Sequence, residues 1–267
     1  MPTPCKLPMA EETRVAGWLS ECLSAPSDVD AATKLKDAPG REVWDVTFCF
    51  EGRNRRAALL VFKPCEPDAV NTSLGPSDTA DKCRMAMSEL RLHGIRTPSV
   101  IGSCTISGES AILSSWVAST KWSPEARIEA AQVLGRLHAL DARQLSPGLQ
   151  VLLDSSDPRE CRTTGGEAPS SGMRALVHGD FFSKNILPTD VDGSICVIDW
   201  ETFGWGDPMW DLGFLLGADR SVSTQEADSV IAAYSGLRPV DNDCLQWHRD
   251  HWRQMWDARS SQTSADR

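Results

Sequence analysis

Several absences bound what this 267-residue chain can be. It has no long apolar run: the longest, Ala57 to Phe62, is far too short to span a bilayer, so no membrane partner is expected. It has no surplus of positive charge. Lys and Arg total 27 against 37 Asp and Glu, a net charge of −10, whereas a nucleic-acid partner needs a basic face. Its nine cysteines include no C-x-x-C pair, and an odd count leaves at least one thiol unpaired in a monomer. That pattern fits a reduced, cytoplasmic protein. Met1-Pro2-Thr3-Pro4-Cys5 offers no apolar stretch of the signal-peptide kind. Internal repeats, sustained heptads and a clean glycine-rich phosphate loop are also missing. Asp37-Ala38-Pro39-Gly40-Arg41, where such a loop could stand, contains one glycine.

What is present divides by period. Val15, Trp18, Leu19, Cys22 and Leu23 recur at helical spacing between Glu11 and Ser24, and Pro26 ends the run. Two strands are expected at 43–50 and 57–62, joined by a turn at Glu51-Gly52-Arg53-Asn54. Pro64 to Ser77 reads as a loop, 78–93 as a helix closed by Gly94, and Val100-Ile101-Gly102 with Ala111-Ile112-Leu113 as a second strand pair. Ser123-Pro124-Glu125 opens a further helix with an N-cap serine, proline in the first position and an acid in the first turn. His138 falls on that helix's apolar face, where a packed structural histidine is expected. The stretch 154–174, rich in Ser, Gly and Pro, reads as a long loop, followed by helices at 225–234 and 242–256 and a frayed tail. The crowd of Trp247, His248, His251, Trp252, Met255 and Trp256 on the last helix is read as core packing.

The chemistry concentrates at His178-Gly179-Asp180-Phe181-Phe182-Ser183-Lys184-Asn185 and Val197-Ile198-Asp199-Trp200-Glu201. An Asp, an Asn five residues on, and a second Asp closing an apolar strand suit phosphoryl transfer. The first Asp orients and deprotonates a hydroxyl, while the Asn and second Asp hold a magnesium ion on nucleotide phosphates. Asp192-Gly193 reads as the turn of a hairpin that returns Asp199 to the neighbourhood of Asn185.

These motifs resemble those of the aminoglycoside phosphotransferase and choline-kinase-like superfamily: H-G-D-x-x-x-x-N at 178–185, I-D-W-E at 198–201 and G-D-P-x-x-D-L at 206–212. The resemblance implies an α+β, bilobal protein-kinase-like fold with a small β-rich N-lobe (1–113), a hinge (114–119) and a larger, mainly helical C-lobe (120–267). It implies Asp180 as catalytic base, Asn185 and Asp199 as Mg2+ ligands, and Lys63, which ends the strand 57–62, on the nucleotide phosphates. Hinge residues Ser115 and Val117 would border the nucleotide. The carboxylate partner of Lys63 is expected on the 78–93 helix near Cys83, a position that Asp81 and Glu89 flank without matching, and Glu89 is chosen for its longer reach. His178 and Asp211 would support the loop, and Glu201 and Asp207 could extend a negative surface. The implied activity is transfer of the γ-phosphate of ATP or GTP to a small hydroxylated acceptor. An antibiotic is the favoured acceptor and a metabolite of the choline, ethanolamine or sugar kind the alternative. A non-catalytic nucleotide-binding module should have lost one of the three motif residues. A protein kinase should carry an A-P-E segment, which is missing. Oligomeric state is left open.

Overall fold

The computed structural model describes residues 9–64, 74–155, 169–189 and 194–265. Two compact units emerge: one from residues 1–89 and 97–117, the other from 90–96 and 118–267.

The smaller unit is a five-stranded antiparallel sheet covered by a helix. Its strands are β1 (Asp28–Ala38), β2 (Arg41–Phe50), β3 (Arg53–Phe62), β4 (Val100–Ile106) and β5 (Glu109–Ser115), in the order β1-β2-β3-β5-β4. Alternation along β2 and β3 sends Trp44, Val46, Phe48, Ala57, Leu59 and Val61 into one buried cluster. Helix α1 (Met9–Leu23) covers it with Val15, Trp18, Leu19 and Cys22, spaced as one helical face. Fully burying a leucine such as Leu19 or Leu59 contributes about 1.5–3 kcal/mol. The β2–β3 turn is tighter than the expected four residues. Phe50 pairs with Arg53, and Glu51 and Gly52 both adopt positive φ, as a two-residue type I′ turn requires. Helix α2 (Pro76–Leu90) runs into a 3₁₀ turn at Arg91–His93, closed by left-handed Gly94. Strand β1 was not anticipated.

The larger unit is mainly helical: α3 (Pro124–Ala139), α4 (Pro147–Ser155), α5 (Pro208–Gly217), α6 (Thr224–Ser235) and α7 (Asn242–Ala265). Ser123 caps α3 as expected, accepting from the Ala126 amide. Two short ribbons join the helices, β6 (Ala175–Val177) with β9 (Gly204–Gly206), and β7 (Ile186–Pro188) with β8 (Ile195–Val197). Close packing of α5 on α7 depends on two glycines. A Cβ at Gly213 would lie 2.5 Å from His248 Cβ, and one at Gly217 would lie 2.5 Å from the Arg249 carbonyl oxygen. Helix α4 was not anticipated, and α7 continues through the stretch expected to fray. Residues 156–168 of the expected long loop, the Asp192-Gly193 turn and residues 65–73 lie outside the described residues.

Candidate active site

The H-G-D turn is built within the larger unit, between β6 and β7. Gly179 adopts φ +85°, and a Cβ there would lie 2.8 Å from the Thr202 carbonyl oxygen, so both the angle and the space require glycine. Asp211, in the first turn of α5, is fully buried. One of its oxygens accepts from the His178 amide at 2.7 Å and the other from the Gly179 amide at 2.9 Å. The Trp210 indole donates to the Gly179 carbonyl at 2.9 Å, and the Thr202 hydroxyl to that of His178 at 2.8 Å. Backbone groups of the turn therefore have partners from two flanking elements.

His178 has no exposed surface. Its Nε2 lies 2.9 Å from the Ile198 carbonyl, which can only accept, so the proton sits on Nε2. Nδ1 then accepts from the Asp180 amide at 3.2 Å. Both ring nitrogens are committed, and the histidine braces the turn. His138 is likewise structural: it is buried between the Tyr234 hydroxyl, 2.7 Å from Nδ1, and Asp211, 3.3 Å from Nε2.

Asn185 ties the turn to the hairpin. Its side-chain amide nitrogen donates to the Asp180 carbonyl at 3.0 Å and to the Asp180 carboxylate at 2.7 Å. Its backbone carbonyl accepts from the Ile198 amide at 2.9 Å, continuing the register in which Ile186 pairs with Val197. Asp199 follows directly with φ +68° and ψ +59°, a left-handed conformation uncommon outside glycine and concentrated at functional sites. The three motif residues are thus brought together on one turn and one hairpin. With the amide nitrogen of Asn185 engaged, its side-chain oxygen and the Asp199 carboxylate form an all-oxygen donor set. Such a set fits Mg2+ that arrives with phosphates and keeps several waters. Among the described residues no group of three or more His, Cys, Asp or Glu could hold a metal by itself.

In the smaller unit, the Lys63 ammonium lies 2.8 Å from Glu42 and 3.5 Å from Asp37. A carboxylate on α2 was expected beside Lys63; in this unit Glu42 of β2 lies against it, while Asp81 of α2 pairs with Arg84. Register explains this. Glu42 stands opposite Val61, and the Lys63 amide bonds to Gly40, so Lys63 and Glu42 are diagonal neighbours across the ribbon. Arg14 of α1 adds a second cation at 3.1 Å from Glu42 and also reaches Glu109 at 3.0 Å. Burial alone would push the Glu42 carboxyl up, but hydrogen bonds from Lys63 and the Trp44 indole, with the charge of Arg14, hold it down at about 2. Neither Glu42 nor Arg14 was singled out in the sequence, because only the strand pairing brings them to Lys63. Ser115 closes β5 with its amide and hydroxyl both bonded to Ser99, and Val117 follows, half-buried.

Residues 149–248 match the phosphotransferase enzyme family. The fold agrees. The chain is similar to a spectinomycin phosphotransferase in complex with ADP and spectinomycin (TM-score 0.62, 14% identity, covering 92% of this chain and 85% of that one). It is also similar to macrolide 2′-phosphotransferase from Brachybacterium faecium (TM-score 0.54, 18% identity, 84% and 83% covered). A third likeness is to a choline/ethanolamine kinase family protein from Mesorhizobium loti (TM-score 0.51, 17% identity, 88% and 81% covered). No curated protein matches the chain. The α+β phosphotransferase fold expected from the motifs is therefore the one observed.

Within this phosphotransferase fold, Asp207 is not a free acid. It caps α5 by accepting from Met209 at 2.9 Å, and it accepts from the Ser171 amide at 2.6 Å and hydroxyl at 2.8 Å. Its oxygens anchor the segment before β6. The aromatic stripe of α7 packs as expected. Trp252 stacks on Phe214 of α5 at 3.7 Å between ring centres, Phe214 stacks on Phe182 at 4.8 Å, and Trp256 meets Phe182 edge-on at 5.7 Å.

Proposed function

We propose that the protein is a small-molecule O-phosphotransferase that moves the γ-phosphate of ATP or GTP to an acceptor hydroxyl. The observation that carries the reading is the bonding of Asn185 to Asp180 on one side and to the strand leading into Asp199 on the other. That arrangement supports a base and two metal ligands held in fixed relation. Asp180 orients the acceptor hydroxyl and takes its proton late, since a loose transition state asks little of the nucleophile. The amide of Asn185 fixes the rotamer of that carboxylate. Asn185 and Asp199 would hold Mg2+, which when bound offsets charge on the β- and γ-phosphates. Lys63, set by Glu42, is assigned to the α- and β-phosphates, and Ser115 and Val117 to the nucleotide edge. In this reading residues 1–113 are the nucleotide-binding lobe, 114–119 the hinge and 120–267 the acceptor and metal lobe. A hydroxylated antibiotic is the favoured acceptor. Similarity to both a spectinomycin phosphotransferase and a choline/ethanolamine kinase family protein keeps a metabolite as the second reading.

The test is turnover with Mg2+, ATP or GTP and a panel of hydroxylated antibiotics and metabolites, read by product mass. One class should gain a single phosphate. Asp180→Asn should lower kcat by at least about 10²-fold with nucleotide affinity kept, the scale expected of a general base. Asp199→Ala should weaken nucleotide binding only when Mg2+ is present. Full activity in either variant would remove that residue from the mechanism.

A further inference from the structure

Away from the residues assigned to phosphoryl transfer, the smaller unit holds two thiols in contact. Cys22, in the last turn of α1, is buried, Cys104 on β4 is half-buried, and their sulfurs lie 3.2 Å apart. The approach is built into the backbone. A Cβ at Gly102 would lie 1.9 Å from the Cys22 carbonyl oxygen, so this position on β4 must be glycine for the helix end to sit where it does. Trp18 and Leu19 of α1 and Ile106 of β4 belong to the same apolar cluster and keep the two elements in place. Other described thiols are placed differently: burial pushes Cys196 up to about 11 and Cys244 up to about 12. The hydrogen bond between the two sulfurs moves the Cys104 thiol down and, with burial, the Cys22 thiol up. Cys104, whose sulfur also lies 3.7 Å from the Trp18 carbonyl, is the more accessible of the two and the one whose thiolate is favoured.

We propose that Cys22 and Cys104 form a redox-active dithiol that closes to an intramolecular disulfide when a small hydroperoxide reaches Cys104. The Cys104 thiolate, having lost its proton to solvent, attacks the peroxide; an S–O bond forms, the O–O bond breaks, and the departing oxygen takes a proton back from solvent to leave as water or an alcohol. The Cys22 sulfur then attacks Cys104, giving its proton to the departing hydroxyl, so that the S–S bond forms, the S–O bond breaks and water leaves. The two thiols lose two electrons and the hydroperoxide gains them. Closure needs the sulfurs to approach by only about 1 Å, to the usual bond length near 2.05 Å. The link joins positions 82 residues apart and ties α1 to β4. Because α1 carries Arg14, oxidation fixes the helix that holds Glu42, the partner of Lys63.

Wild-type protein treated with one equivalent of hydrogen peroxide and digested without reduction should yield a linked peptide pair containing Cys22 and Cys104, cleaved by dithiothreitol. The thermal midpoint should rise by on the order of 5 °C, as expected for closing so long a loop. Cys22→Ser should stop at a Cys104 sulfenic acid trapped by dimedone, and Cys104→Ser should give neither product. If Cys104→Ser folds poorly, the wild-type peptide map decides by itself. The proposal is overturned if Cys104 stays a thiol under these conditions or links to a different cysteine. A covalent bond is read, so the outcome is independent of phosphotransfer.

Discussion

Lys63 and Asp180 are held by different physics. Around Lys63 the smaller unit places Glu42 and Asp37, with Arg14 and Lys34 also bonded to Glu42, so position is fixed by balanced charge. Around Asp180 the larger unit uses backbone conformation and buried hydrogen bonds: the positive φ of Gly179, the two amides received by Asp211, and a histidine with both nitrogens committed. A charge network is adjustable, since long side chains can shift with a neighbouring ligand's charge. A turn whose amides end on a fully buried carboxylate has one geometry. The contrast suits the roles proposed, a lysine that receives a polyanion and a base whose direction must not drift.

The largest expected effect is on the rigid side. Asp211→Ala would orphan two buried amides and the Nε2 proton of His138, and breaking such a buried arrangement costs about 3–5 kcal/mol. Urea unfolding should show this loss unchanged by added salt. The counterpart Glu42→Ala should cost less, because Lys63 and Arg14 are partly exposed and can turn to water, and its cost should fall as salt rises. A cost below about 1 kcal/mol for Asp211→Ala would mean that the amides have another acceptor, and the distinction between the two regions would collapse.

Acid should separate the regions next. His248 is buried among Trp210, Trp247 and the backbone of α5, and neither ring nitrogen has a hydrogen-bond partner among the described residues. Burial pulls it down to about 4, reinforced by His251 and opposed by Asp207. A folded-state value below the unfolded one means that stability is present above about pH 6.5 and is lost as pH falls towards 4. Glu42, held at about 2, has the same sign in a lower window: its contribution is intact above about pH 4.5 and is lost as pH falls towards 2. Each amounts to on the order of 3 kcal/mol. His248→Gln should flatten the pH dependence of the urea midpoint only in the upper window, and Glu42→Gln only in the lower. If either variant flattened both windows, the two groups would not be independent.

The two regions also differed in how much of them the sequence disclosed. The rigid turn was legible because its parts lie in two short runs, His178-Gly179-Asp180, where glycine supplies the positive φ, and Gly206 to Leu212, which carries Asp211. The charged site was only half legible. Lys63 follows a plain apolar strand, but its partner Glu42 is 21 residues away and is brought there by register, which composition does not encode. Strand β1 escaped for a related reason. An edge strand reading Asp-Val-Asp-Ala-Ala-Thr-Lys-Leu-Lys-Asp-Ala is mostly exposed, so alternation is faint, and its lysines blunt an edge that would otherwise invite pairing. Asp207 has a use that its motif does not disclose: its oxygens receive the amides of a helix cap and of Ser171.

The smallest effect tests whether charge alone, or charge under burial, fixes Lys63. Arg56 and Asp45 form a two-pronged ion pair in the same sheet, at 2.9 and 2.7 Å, as close as the Lys63–Glu42 contact. The Arg56 side chain is 53% exposed, whereas that of Glu42 is 4% exposed. Water and salt can replace the exposed pair, and the Arg56 guanidinium keeps a second support over the Trp116 ring at 3.9 Å. Asp45→Asn should therefore cost only about 0.2–1 kcal/mol and approach zero in high salt. Glu42→Gln, which changes the same number of charges at a similar distance, should cost severalfold more, because the cations lose a carboxylate that water cannot fully replace. Equal costs in a parallel urea series would show that proximity of charge, not its burial, sets the smaller unit's half of the comparison.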